Sequence, residues 1–243
     1  MKIGYGVFGK AYEYMLRNDL HDPASVDHEL MKNMVLLDDE SAAFLYSGVA
    51  RYDMRGHELY HFAQQFKAST DKETIENVLK YTQNIADSYN VDFDNMLFGG
   101  TEKQILSRGT DWCSDMARVG AVLFQCLNIP CRIIYLANTS RAYNGHVVGE
   151  AYYEGRYGVV DFIYGYQFYD GKPISALDIL KNPGVLETYP EYYKGLYSAI
   201  AISEYNPCAA SNNYLISAPN SYYIKLIHTN HQNKWFMGED LVD

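Results

Sequence analysis

Apolar residues recur at helical spacing over the first ninety positions of the chain and then switch to strand-like runs. Ser25 can cap a helix that places Val26, Leu30, Met34 and Leu37 on one face. Thr70 opens a second helix: Glu73 follows at capping-box spacing, and Ile75, Val78, Leu79, Ile85, Ala86 and Tyr89 repeat at helical intervals. Past Gly99 the pattern changes. A short helical stretch, TEKQILS, is broken at Gly109, and Thr110 or Asp111 can cap a new helix with Cys113, Met116, Ala117, Gly120, Ala121 and Phe124 on one face. Asn128 and Pro130 stop it, and CRIIYLA from Cys131 reads as a strand.

Two β-rich runs then flank Glu154 and Gly155, which predicts a hairpin. Beyond it, Ser175 can cap a short helix ending near Pro183, and AIAISEY and SYYIKLIHT read as strands. No repeat or Pro/Ser-rich linker divides residues 1–243, so a single domain is expected. It has a helical part over 1–90, a core over 99–170 that holds nearly all the chemistry, and an extension over 171–243 to which the sequence gives no role.

Composition narrows the function classes. Hydrophobic residues are 48% and charged residues 21%, which fits a folded soluble chain better than a disordered or membrane-embedded one. The formal charge of −10 repels phosphates, so neither nucleic acid nor a membrane is expected as a partner. The first twenty residues lack the apolar stretch of a secretory signal, and runs such as VGAVLF are far too short to span a bilayer, so a cytoplasmic location is expected. In that compartment Cys113, Cys126, Cys131 and Cys208 should be free thiols, and no C-x-x-C pair suggests zinc. Tyrosine is unusually common, with 24 residues, and nothing in the sequence explains the excess.

Cys113 is the first candidate for chemistry. It falls in the first turn of its helix, where free backbone N–H groups and the positive end of the dipole favour thiolate over thiol. Read locally, a buried structural cysteine is the competing account. The hairpin changes the balance. With the turn centred between Glu154 and Gly155, Val148 faces Asp161, and His146, two residues along on the same face, lies diagonal to Asp161 within side-chain reach. An Asp accepting from one imidazole nitrogen leaves the other free to pair with a thiolate, the logic of covalent acyl chemistry. A one-residue slip would send Asp161 to the other face and remove the pair.

A metal reading competes. His57, Glu58 and His61 match His-Glu-x-x-His, which on a helix places two imidazoles on one face for zinc with Glu as base. Arg51, Asp53, Arg55 and Gly56 precede it where a buried zinc helix usually carries apolar residues, and no third-ligand motif follows. The favoured expectation is therefore no metal.

From about Thr101 to Tyr169 the sequence resembles the transglutaminase-like superfamily. The resemblance rests on Cys113, Asp115 and Ala117, on N-I-P-C-R from Asn128 to Arg132, on Gly145-His146 and on Val160-Asp161, with the Thr70 helix and TEKQILS resembling the elements that precede the cysteine. Val147-Val148, Tyr157 and Phe162 depart from residues frequent in that family and bear on specificity. The resemblance implies an α+β, papain-like fold with a cysteine-bearing helix packed on an antiparallel sheet. It also implies Cys113 as nucleophile, His146 as general base and acid, Asp161 as orienting carboxylate, and no cofactor. The substrate would be a peptide, a protein, or a small amide or thioester, and the acyl-enzyme would be resolved by water or by an amine. Oxyanion donors are sought in the backbone N–H of Cys113, in Gln104 and in the Trp112 indole, while Asp115 can complement the helix N-terminus. A non-catalytic binding domain of the same fold is the alternative within this resemblance, and a zinc peptidase through His57 and His61 the alternative outside it.

Overall fold

Local sequence signals set most element starts. The computed structural model describes residues 35–90, 99–138 and 145–208. Strand β1 (Val35–Leu36) runs into Asp38, whose side chain caps helix α1 (Asp39–Leu45) in a reciprocal box with Ser41. The helix expected from Ser25 lies largely outside the described residues. Its far end is corrected: Leu37 follows a strand, because Asp38 offers a new cap directly after it. Helix α2 (Tyr60–Ala63) is one turn continued by a 3-10 turn (Gln64–Phe66).

Helix α3 (Asp71–Ser88) begins at the predicted Thr70–Glu73 capping box and buries Ile75, Val78 and Leu79. Helix α4 (Glu102–Arg108) repeats the device with Thr101 and Gln104 and ends at Gly109, whose φ of 75° is the left-handed conformation glycine adopts without strain. Helix α5 (Cys113–Cys126) is buried from Asp115 to its last residue, which is why its apolar positions run beyond one stripe.

The strands β2 (Cys131–Ala137), β3 (Gly145–Tyr153), β4 (Arg156–Asp161) and β5 (Tyr166–Gln167) follow, then helix α6 (Ala176–Lys181), a 3-10 turn (Pro183–Thr188), helix α7 (Tyr192–Leu196) and strand β6 (Ala199–Ser203). The strand predicted at SYYIKLIHT lies outside the described residues. Six strands form one antiparallel sheet in the order β1-β6-β2-β3-β4-β5. Helices and antiparallel sheet thus make the expected α+β architecture.

Period-two alternation sorts the sheet into two faces. Ile133, Tyr135, Val147 and Val160 pack with Met116, Val119, Val122, Leu123 and Phe124 of α5. Ile134, Leu136, Val148, Val159 and Ile202 face the other way, toward Ile179 of α6 and Tyr193 and Leu196 of α7. Each fully buried Val, Leu or Phe contributes about 1.5–3 kcal/mol, so both faces are anchored by many such terms. Among the described residues no helix is long and apolar enough to cross a membrane. Cys113, Cys126, Cys131 and Cys208 are free thiols.

Candidate active site

The cap of α5 falls at Trp112, two residues after Thr110 and one after Asp111. Thr110 is buried, and its Oγ1 accepts from the Trp112 backbone N–H at 2.9 Å, so it stabilises the turn while Trp112 takes the capping position without a side-chain cap bond. Cys113 is consequently the first helical residue, half-buried, where backbone N–H groups have no intrahelical acceptor. Asp115 does more than complement the helix end. Its buried carboxylate accepts from the Gly99 N–H at 2.9 and 3.0 Å and from Arg108 at 2.5 Å, tying both ends of α4 to α5. Burial pushes its pKa up against the neighbouring Arg118 and Arg108 charges.

The hairpin forms in the anticipated register. Glu154 and Gly155 have φ of 51° and 77°, the paired positive values of a type I′ turn, and Tyr152 pairs with Tyr157 and Gly149 with Val160. Continuing that ladder sets Asp161 beside Val148. The His146 Nε2–H then donates to Asp161 Oδ2 at 2.7 Å, with both groups buried. Asp161 is fully engaged. Its Oδ1 accepts from the Ile163 and Tyr164 N–H groups at 2.9 and 3.1 Å, and its Oδ2 accepts a second bond, from the Tyr193 hydroxyl at 2.7 Å. Those four bonds fill the acceptor capacity of a carboxylate.

The Cys113 side chain acts on the His146 ring at close range and favours its charged form. Since Nε2 is turned to Asp161, Nδ1 is the nitrogen left for the sulfur. Burial disfavours a charged imidazole, but the Asp161 charge, its hydrogen bond and the Cys113 contact outweigh it and push His146 up to about 10. Burial likewise opposes an ionised Asp161, yet the His146 charge and the bonds from His146 and Tyr193 hold its pKa below the ordinary value. The arrangement can hold a proton on His146 close to the Cys113 sulfur.

Tyrosines form the surroundings, and their role was invisible in the sequence. The rings of Tyr164 and Tyr192 stand 5.6 and 5.7 Å from the His146 ring and 5.4 Å from each other. Both phenols are pushed up by burial, with contributions from the Cys113 and Asp161 charges. Asp111 adds a carboxyl whose Oδ1 is buried without a hydrogen-bond partner and whose pKa burial raises. Tyr164 follows Asp161 by three residues, a weak local hint; nothing in the sequence links Tyr193 to Asp161 across the intervening 32 positions.

The remaining candidates divide. Gln104 is the capping-box partner of Thr101, its Oε1 accepting from the Thr101 N–H at 2.8 Å, so its amide oxygen serves α4. Trp112 stays next to Cys113 at the helix start. The His-Glu-x-x-His motif is corrected: α2 begins only at Tyr60, so His57 and His61 do not share a helical face. His57 Nδ1 accepts from the Leu59 N–H at 3.2 Å, while its Nε2 lies 4.0 Å from Glu102, and Glu58 lies 3.8 Å from Lys103. Arg55 and Gly56 favour a turn there over continuation of a helix. Among the described residues no group of three or more His, Cys, Asp or Glu side chains is arranged to hold a metal ion.

No curated protein matches the chain. A solved structure from Cytophaga hutchinsonii, of a candidate cysteine protease, is 22% identical over 52% of this chain and 43% of that one, with a TM-score of 0.33; the chain thus spans less than half of that protein's length. The family model of the transglutaminase-like superfamily matches residues 60–162, which include Cys113, His146 and Asp161 and reach upstream to α2 and α3. Over the segment from α2 to the end of the β3–β4 hairpin the chain is thus similar to the transglutaminase-like superfamily.

Proposed function

We propose that this protein performs cysteine-dependent acyl chemistry, with Cys113 as nucleophile, His146 as proton carrier and Asp161 as the group that orients and charges His146. The single observation supporting this most directly is the buried His146 hydrogen-bonded to Asp161, with Cys113 acting on the same ring. In the first half-reaction the Cys113 sulfur attacks the carbonyl carbon of an amide or thioester. A C–S bond forms and the carbonyl electrons move onto oxygen. The tetrahedral centre then collapses, the C–N or C–S bond to the leaving group breaks, and the leaving group departs with the proton held by His146. In the second half-reaction water or an amine gives a proton to His146 as it attacks the thioester, releasing the acid or the new amide and regenerating the thiolate. The oxyanion would be met by the Cys113 backbone N–H at the start of α5, whose geometry suits a charge developing there.

Incomplete burial of Cys113 favours turnover over a binding-only role, because a reagent or substrate can reach the sulfur. The deciding experiment is mass spectrometry of the chain after exposure to a panel of amides and thioesters, in parallel with Cys113→Ala. An acyl adduct on Cys113 that disappears in C113A supports the proposal, and its mass names the acyl group. Undiminished turnover by C113A would sink it. Release of the adduct by water alone, or only on addition of a primary amine, separates hydrolase from acyltransferase.

A further inference from the structure

We propose that Tyr193, from the C-terminal extension, is a positioning residue of this site: its hydroxyl donates to the same Asp161 oxygen that holds the imidazole. The inference rests on the acyl-chemistry reading for its purpose, though not for its test. Alternation along β3 and β4 places His146 and Asp161 on the sheet face shared with Val148 and Val159, which is the face α7 covers. The cysteine helix lies on the other face and meets them only at its first residue. Among the described residues, support for Asp161 comes from α7 and from the loop after β4. The loop holds Oδ1 through two backbone N–H groups, and Tyr193 holds Oδ2.

Tyr193 is fully buried, and its ring is fixed against Phe168, Tyr166 and Tyr192 at 5.2, 5.8 and 5.6 Å. The groups facing His146 and Asp161 are Cys113 from α5, Tyr164 from the loop, Tyr192 and Tyr193 from α7, and Tyr197 just beyond it. Of these, Tyr193 bonds the shared oxygen. A hydroxyl donating there withdraws charge from Oδ2. Asp161 then keeps the imidazole oriented but grips its proton less tightly, leaving His146 able to release that charge as catalysis requires. Burial and the Asp161 charge hold the Tyr193 phenol far above its ordinary pKa, so it remains a donor at any working pH.

The test is Tyr193→Phe in the full chain, read by NMR titration of the His146 ring and by the pH dependence of Cys113 alkylation with iodoacetamide. A bond to a charged acceptor lost from Oδ2 should raise the His146 midpoint by about one pH unit, a tenfold gain in proton affinity, so that the ring stays charged where the parent has lost its proton. The upper limb of the alkylation profile should move with it. Tyr197→Phe removes a buried hydroxyl that has no hydrogen-bond partner among the described residues, and should move neither. A Y193F titration that coincides with the parent's, or shifts no more than that of Y197F, overturns the proposal. If Y193F does not fold, the unmodified protein decides: the Tyr193 hydroxyl proton should resonate downfield and shift as His146 titrates, and its indifference to that titration would count as failure. Absence of selective Cys113 alkylation in the parent would instead count against the acyl chemistry, while the His146 comparison still judges Tyr193.

Discussion

The ring of Phe162 lies directly against the backbone of Gly120, so close that a Cβ at Gly120 would meet ring carbons at 2.1, 2.1 and 2.5 Å. The same ring approaches Gly149 of β3, where a Cβ would stand 2.6 Å away, and packs on Phe124 at 5.3 Å. Phe162 thus sits between the cysteine helix and the sheet, one residue after Asp161, and sets the separation that lets Cys113 reach His146. Gly120→Ala should cost about 3 kcal/mol, the upper end for an overpacked core, because a clamped ring cannot yield. It should also slow Cys113 alkylation as α5 is pushed outward. Adding Phe162→Leu should recover part of both losses. Denaturant midpoints and alkylation rates for the two singles and the double measure this, and purely additive losses would refute the wedge.

Charge on His146 sets the pH behaviour. Its folded pKa, about 10, exceeds the unfolded value near 6.5, so its contribution to stability is fully present below about 6.5 and is lost as pH rises through 10. Asp161 works in the opposite sense: its pKa is lowered, so its contribution is present above the unfolded value and fades as pH falls through the folded one. Asp161→Asn removes the charge but leaves the burial, which alone drives an imidazole downward. The His146 titration should then fall from about 10 to below 6.5, and Cys113 alkylation should lose its plateau at neutral pH. Ring titration by NMR checks this; a midpoint left near 10 in D161N would show that something other than Asp161 supports the charge.

How far the sequence reaches depends on whether the information is local. The Thr70 box, the Ser175 cap and the Glu154–Gly155 turn depend on neighbours a few positions away, and all three form. The turn in turn fixes the register, and with it the meeting of His146 and Asp161 15 positions apart. What stayed illegible was long-range or competitive. The α5 cap moved to Trp112 because Thr110 bonds the turn, Val35–Leu36 form a strand where the Ser25 pattern expected helix, and Tyr193 reaches Asp161 because α7 folds back over the sheet. Part of the tyrosine excess gains a place here: Tyr164, Tyr166, Tyr189, Tyr192 and Tyr193 make a continuous ring cluster beside the site.

The geometry around His57 yields a metal test. With His57 bonded to the Leu59 N–H and facing Glu102, and His61 exposed on a one-turn helix, zinc has no paired imidazoles to bind. His61→Ala should therefore shift stability by no more than about 0.5 kcal/mol, as for other surface changes, and should leave Cys113 alkylation intact. Chelator treatment should alter neither. Elemental analysis finding stoichiometric zinc that is lost in H61A would reverse this.

Arg132 and Glu150 form a fully buried ion pair across β2 and β3, with Nη2 2.7 Å and Nε 2.8 Å from the same carboxylate oxygen. Everything around them is built for charge. The guanidinium lies 3.8 Å from the Tyr157 ring centre and 4.5 Å from that of Tyr46, and it donates to the Leu45 carbonyl at 2.5 Å. The other Glu150 oxygen accepts from the Tyr46 hydroxyl at 2.7 Å and from the Ala176 N–H at 2.8 Å, linking α1 and the start of α6 to the sheet. Glu150→Leu leaves the guanidinium with only the part-exposed Glu204, 3.3 Å away, as a carboxylate partner and also frees the Ala176 N–H, so it should cost about 3 kcal/mol. Arg132→Met with Glu150→Leu removes both charges at once. Because the buried penalty disappears with them, the double variant should be more stable than E150L, and the cycle with R132M and E150L should return a coupling of about 2 kcal/mol or more. Calorimetric midpoints for the singles and the double measure it. Near-additive losses would mean that the backbone and tyrosine contacts, rather than the pairing of charges, hold this part of the sheet together.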